Sequence, residues 1–287
     1  MILSGKEVAS VIKEKIINQL GKCERTPHLV TISVAPDPST RSYINSQTKA
    51  AEKLGIDHTH RELEINSGME RLLEVINESN QDKTVDGILL ALPLPDGYDK
   101  LKAINHIDPE KDIEGITATN LGMLFYEKPY FYPCTAQAVL EILDHYQIQV
   151  SGKDITIIGR STQVGKPLDI MLVEKSKNGT PTICHTRTTD LTQKIKDANI
   201  LIVAAGKYGV VETAMLSDHT VVIDVGINFV DGKLVGDVKR DLEMENTKNI
   251  SITPVPGGVG TVTTMLLMSN VVARGLASKT VKENFKR

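Results

Sequence analysis

The stretch ITIIGRSTQVGKP, residues 155–167, runs from an apolar strand through a turn bearing glycine into the start of a helix. Gly159 closes the strand, Gly165 opens the helix, and Pro167 suits a first turn, where a missing N–H costs nothing. A phosphate can sit at such a place on backbone N–H groups and the positive helix end. The Walker spacing fails twice: five residues separate Gly159 from Gly165, and Pro rather than Ser or Thr follows Lys166. A nucleotide triphosphatase is therefore disfavoured. A strict G-x-G-x-x-G is also absent, because Ser161 takes the middle glycine position, so alone the loop is a weak signal and an ordinary strand-to-helix turn is the competing reading.

The chain beyond it narrows that choice. TPTICH (180–185), ILIVAAG (200–206) and VVIDVG (221–226) read as strands, with helix-periodic segments after Gly165, near Leu191 and near Met215. Four parallel strands joined by right-handed crossovers follow, a doubly wound Rossmann-type sheet. In such a sheet an acidic residue about 20 residues beyond the first loop grips an NAD ribose. Here His185, Thr186 and Arg187 stand there, with no acid before Asp190. Together with Arg160 these donors suit a 2′-phosphate and favour NADP over NAD, although Arg187 also reads as a solvated surface charge. Asp231-Gly232 between two extended runs predicts a hairpin, and ITPVPGGVG (252–260) precedes a helix over 263–275.

The first half has the same rhythm, with strands at 29–35, near His58 and at 85–92, and helices over 41–54 and 69–76. The run 87–92 is apolar on both faces, as in a sheet covered by helices on both sides. Between Pro93 and Pro133 prolines and glycines break up any long element, and such loops beside a sheet are site candidates. A helix over 135–146 leads to the second half.

Composition agrees. The 287 residues carry 33 Lys+Arg and 36 Asp+Glu, a net charge of −3 that offers nothing to nucleic acid. Seven Tyr, four Phe and no Trp leave few stacking platforms for single strands. No apolar run approaches the ~18 residues of a membrane span, and the N-terminus lacks the features of an export signal, so the expectation is a cytoplasmic protein. Cys23, Cys134 and Cys184 are widely spaced and read as reduced thiols, Cys134 packing behind a loop. No metal is expected: His58 and His60 alternate on a short strand without a third ligand and read as surface histidines. Asp224, ending a buried strand, reads as a structural acceptor.

Ser39, Ser42 and Tyr43, with DGILLALPLP (86–95), PEKDIEGITATNLGML (109–124), PCT (133–135), IIGRSTQVGKP, CHTRT (184–188), ILIVAAGK, VVIDVGIN, GDV (236–238) and ITPVPGGVG, follow one another at specific spacing. In these the chain resembles the methylenetetrahydrofolate dehydrogenase/methenyltetrahydrofolate cyclohydrolase family, the FolD proteins, over nearly its full length. The resemblance implies a homodimer of two-domain α/β subunits. A folate domain of residues 1–137 plus 265–287 and an NADP-binding Rossmann domain of residues 138–264 would flank a folate cleft. It further implies oxidation of 5,10-methylenetetrahydrofolate by NADP, then hydrolysis of the methenyl product. By the same resemblance Gly159, Arg160, Ser161 and Thr186 hold the adenosine phosphates, Gly206 belongs to the cofactor set, and Ile227 lies beside the nicotinamide. Tyr43 would pack along the folate, and Pro256, Gly257 and Gly258 would line the cleft.

The departures from the family pattern fall mostly in the folate half. The family Lys four residues after the Tyr is here Gln47, the Gln that supports it is Ala91, and the Asp that binds the pterin amino group is Glu114. Ala136, Ala138, Tyr208, Thr261 and Val262 also replace family residues. An amide has no acid or base form near neutral pH, so general catalysis worth about 10²–10⁴-fold is missing and hydrolysis should be weak or lost. Hydride transfer mainly needs positioning and can survive. Lys49, about 200° around the helix from Gln47, should face away. Two other readings remain: a catalytically degenerate paralogue that binds folate or nucleotide as a regulator, and an oxidoreductase with a changed substrate.

Overall fold

The computed structural model describes residues 1–284, which form two compact units. One comprises Val11–Cys134 and the chain from Thr264 onward; the other comprises Met1–Ser10 and Thr135–Thr263. Helices α1 (Gly5–Leu20), α6 (Cys134–His145) and α10 (Val259–Asn284) run from one to the other.

In the first unit, β1 (His28–Val34), α2 (Pro38–Leu54), β2 (Asp57–Leu63), α3 (Gly68–Gln81) and β3 (Gly87–Leu90) precede the short helices α4 (Lys100–Asn105) and α5 (Ala118–Leu124). The strands form a parallel sheet of order β2-β1-β3. Val30, Ile32 and Val34 on β1 and Ile88 and Leu90 on β3 pack with Leu72, Val75 and Ile76 of α3, the alternation that buries one sheet face under a helix. On α2, Thr40, Ile44, Gln47, Ala51 and Leu54 are buried at helical spacing. That helix starts where Asp37 accepts the Thr40 N–H at 2.7 Å and Pro38 takes the first turn, and it stops at Gly55, whose φ of 72° suits glycine.

The second unit is a five-stranded parallel sheet of order β12-β8-β6-β4-β5, built from β4 (Asp154–Ile158), β5 (Thr180–Cys184), β6 (Ile200–Val203), β8 (Val221–Asp224) and β12 (Ser251–Ile252). Helices α7 (Gly165–Val173) and α8 (Leu191–Asp197) are crossovers. Strands β7 (Val211–Glu212) and β11 (Val238–Lys239) pair in parallel, β9 (Asn228–Val230) and β10 (Lys233–Val235) form the expected hairpin, and α9 (Leu242–Thr247) precedes β12. The hairpin turn holds Asp231 and Gly232 at φ 50° and 73°, the left-handed pair of a two-residue loop.

Four details differ from the sequence reading. A fifth strand, β12, joins the four expected ones, being only two residues long and so without a periodic signal. The helix near Met215 is a single 3₁₀ turn, Thr213–Met215. The C-terminal helix begins at Val259 and extends to Asn284, well past Gly275. Its segment Val259–Ala277 is long and apolar enough to cross a membrane, but half of it is buried in the protein, as in a core helix. The first ten residues, expected in the N-terminal domain, belong to the five-stranded unit, where the Leu3 N–H donates to Ile252 O at 2.9 Å.

Candidate active site

In the three-stranded unit the loop KDIEG is braced before it presents anything. Lys111, 6% exposed, donates from Nζ to the carbonyls of Ser79, Asn80 and Asp82 at 3.1, 2.7 and 2.7 Å, closing the C-terminus of α3. The buried Asp112 carboxylate accepts from Gly115 N, Thr117 N and Asn120 Nδ2 at 3.1, 2.8 and 2.9 Å. Gly115, at φ 71°, passes so close to the backbone of Phe131 and Tyr132 that a Cβ would not fit. Glu114 O accepts the Cys134 N–H at 3.0 Å.

The enclosed Glu114 carboxyl is pushed up to about 8, first by burial and then by the charge of Asp112, while Lys100 at the start of α4 opposes the shift. Burial and Glu114 together push the Tyr43 phenol up. The same two influences push the Cys134 thiol up, and Cys134 Sγ donates to Ile113 O at 3.1 Å, as befits a packing thiol and not a nucleophile. Tyr43 and Gln47 lie one turn apart on α2, where side chains four residues apart are neighbours. Gln47 is fully buried and close enough to interact with the Tyr43 hydroxyl, yet neither of its polar atoms makes a hydrogen bond of normal geometry. Ala91, 2% exposed, continues β3 and offers no polar group. Lys49 is exposed, as its helical position requires. Near neutral pH the Tyr43 phenol and the Gln47 amide are uncharged and the Glu114 carboxyl is mostly protonated, so the cluster can exchange hydrogen bonds.

In the five-stranded unit the candidate residues gather at the carboxyl ends of the parallel strands. Register sets Ile158 beside Cys184, so Gly159, Arg160 and Ser161 leave β4 next to His185, Thr186 and Arg187 leaving β5. Gly206 follows β6, Ile227 follows β8, and Pro256, Gly257 and Gly258 follow β12 after a cis Val255–Pro256 bond. Gly159 has φ 126°, and a Cβ there would run into the Ala204 carbonyl; one on Gly165 would run into the Gly159 carbonyl. No side chain caps α7 at Val164, and no carboxylate ends β5. Arg160, Ser161, Thr186 and Arg187 are exposed, while His185 Nδ1 accepts the Arg187 N–H at 3.2 Å. This close backbone approach suits a pyrophosphate, with Ser161 accepting the Val164 N–H on Oγ and the Lys166 N–H on its carbonyl, both at 3.1 Å, at the start of α7.

That edge rests on two buried carboxylates. Asp224, pushed up to about 6 by burial, accepts from Gly226 N, Asp237 N and Val238 N at 3.0, 2.9 and 3.0 Å, the structural role expected of it. Asp237 accepts from Ala205 N, Gly206 N and Asn228 Nδ2 at 2.7, 2.8 and 2.8 Å. Sequence reasoning missed Asp237, although its place in GDV, two residues after a strand, was the available signal.

Family models match both parts of the chain: tetrahydrofolate dehydrogenase/cyclohydrolase, catalytic domain, over residues 3–114, and its NAD(P)-binding domain over residues 133–279. The chain belongs to the tetrahydrofolate dehydrogenase/cyclohydrolase family. It is 44% identical over 272 residues to the bifunctional protein FolD of Thermosipho africanus, covering 95% of this chain and 97% of that one. The bifunctional FolD of Campylobacter jejuni superimposes with a TM-score of 0.90 at 37% identity, covering 97% and 99%. A Trypanosoma brucei FolD, solved with NADP and an inhibitor, does so at 0.89 and 30%, covering 97% and 98%.

His58 and His60 lie on β2. Their Nε2 atoms pair with Thr31 and Ser33 hydroxyls at 2.9 Å each, so they belong to a polar face of the sheet and are not simply solvated surface groups. Burial, then His60 and His28, press the His58 imidazole down to about 4. Among the described residues no cluster of three or more His, Cys, Asp or Glu is arranged to hold a metal.

Proposed function

We propose that this protein is an NADP-dependent 5,10-methylenetetrahydrofolate dehydrogenase whose methenyltetrahydrofolate cyclohydrolase activity is weak or lost. One observation carries the reading: Gln47, a neutral and fully buried amide, occupies the place on α2 where the family pattern sets an ionisable amine. Water addition to a methenyl bridge needs a proton shuttle beside it, and neither Gln47 nor a phenol pushed up by burial is one near pH 7, while Glu114, which titrates at about 8, is assigned below to holding the substrate.

Gly159, Arg160, Ser161, Gly165, His185, Thr186, Arg187 and Gly206 are the residues we assign to NADP, with Ile227 at the nicotinamide end. Bound there, NADP supplies the hydride acceptor. The chain's part is to seat the pyrophosphate on the α7 N-terminus and to pair the 2′-phosphate with Arg160 and Arg187. Tyr43, Ala91, Glu114, Pro256, Gly257 and Gly258 are assigned to the folate, Glu114 as a neutral acid that both donates and accepts. The protein is taken as a cytoplasmic homodimer.

Both half-reactions should be assayed on the wild type and on Gln47→Lys combined with Ala91→Gln. The wild type should reduce NADP with methylenetetrahydrofolate, and the double variant should gain about 10²-fold or more in hydrolysis. Wild-type hydrolysis as fast as the dehydrogenase step sinks the proposal. A second reading has a specific basis, because the Lys100 charge reaches Glu114. If the wild type hydrolyses and Lys100→Met does not, the amine has moved to α4.

A further inference from the structure

Among the described residues, Gln47 is the one side chain with two fully buried polar atoms that both lack a hydrogen-bond partner. Folding seldom leaves a donor and an acceptor stranded together, because each forfeits its bonds to water without replacement. The neighbouring polar residues of α2 show the usual outcome. Thr48 Oγ1 donates to Ile44 O at 3.1 Å, and Thr40 Oγ1 donates to Leu92 O. Gln47, whose longer side chain carries its amide away from its own helix, finds no such carbonyl. Its amide instead lies by the Tyr43 hydroxyl, itself within the influence of Glu114 and Cys134, inside one unit of the fold.

A side chain held unsatisfied in this way is a mark of function, since stability alone would select Leu or Met at the position. The amide also differs in kind from the lysine of the family pattern. An ammonium only donates, whereas a carboxamide presents one donor face and one acceptor face side by side.

We propose that Gln47 is a specificity-determining residue that reads a carbonyl and an N–H of the reduced pteridine ring through its Nε2 and Oε1. The inference rests on the folate reading above and gives the substituted position a positive role in recognition. Substrate would then supply the two hydrogen bonds that folding withholds, with Glu114 and Tyr43 as the adjacent hydrogen-bonding groups.

The test sets stability against affinity. Gln47→Leu and the straighter Gln47→Met remove both polar atoms at similar volume. Each should melt above the wild type while binding tetrahydrofolate at least about tenfold more weakly in calorimetric titration, with NADP affinity unchanged. A merely structural amide would not yield higher stability together with a loss confined to folate. Tetrahydrofolate binding equal to wild type in whichever variant folds overturns the role of Gln47 and leaves the folate reading intact. A wild type that binds NADP but no tetrahydrofolate overturns the folate reading itself.

Discussion

The carboxyl edge of the five-stranded sheet and the Tyr43–Gln47–Glu114 cluster are built from different materials. The first is mostly backbone: Gly159 and Gly165 permit close approach, and Asp224 and Asp237 gather loop N–H groups. The second is mostly side chain, mounted on α2 and a braced loop. Steric demands on backbone leave few residues acceptable, so the first keeps its motif. A buried side-chain site keeps its packing through an exchange of Lys for Gln while its chemistry changes.

The sharpest way to break this contrast is Gly159→Val. A side chain at φ 126° meeting the Ala204 carbonyl should cost about 4 kcal/mol or more and abolish NADP binding, measured by thermal melting and nucleotide titration. Retained binding would mean that the edge is not limited by its backbone. Asp237→Ala strands the donors of Ala205, Gly206 and Asn228 and should lose about 3 kcal/mol in denaturant unfolding. A loss under about 1 kcal/mol would show that the loops hold without it.

Glu114 sharpens the other side. Its folded pKa of about 8 lies above the value of about 4.3 in an unfolded chain, so protonation stabilises the fold fully below pH 4 and that contribution fades as pH rises to 8. Glu114→Gln removes the dependence. The variant should melt about 2–4 °C above wild type at pH 9, with the gap closing by pH 5. Parallel melting curves at both pH values would count against a neutral carboxyl. The smallest effect is expected at the exposed Arg187, where Ala should lower the preference for NADP over NAD by about tenfold in KM ratios. No change in that ratio returns Arg187 to an ordinary surface charge.

Much of the fold was legible before any coordinates. The strand runs 155–158, 200–203 and 221–224 are predominantly apolar stretches, the glycines punctuate them, and Asp231-Gly232 marks its turn. Residues of β12 were not legible as a strand, because two residues carry no period and gain their partners, Ser251 with Val221 and Ile252 with Val222, from distant chain. The site was legible as a set of types and positions. Its electrostatics were not: Asp112 beside Glu114, Lys100 opposing it and Asp237 under Gly206 are matters of space alone.

The chain of amino acids therefore settled family, architecture and the exchange of an amine for an amide, since these follow from local sterics and residue chemistry. Only the folded arrangement decided that the amide lies buried with neither polar atom paired and that the neighbouring carboxyl holds its proton to about pH 8. Both depend on what surrounds a group once water is excluded, and distant segments assemble those surroundings only on folding.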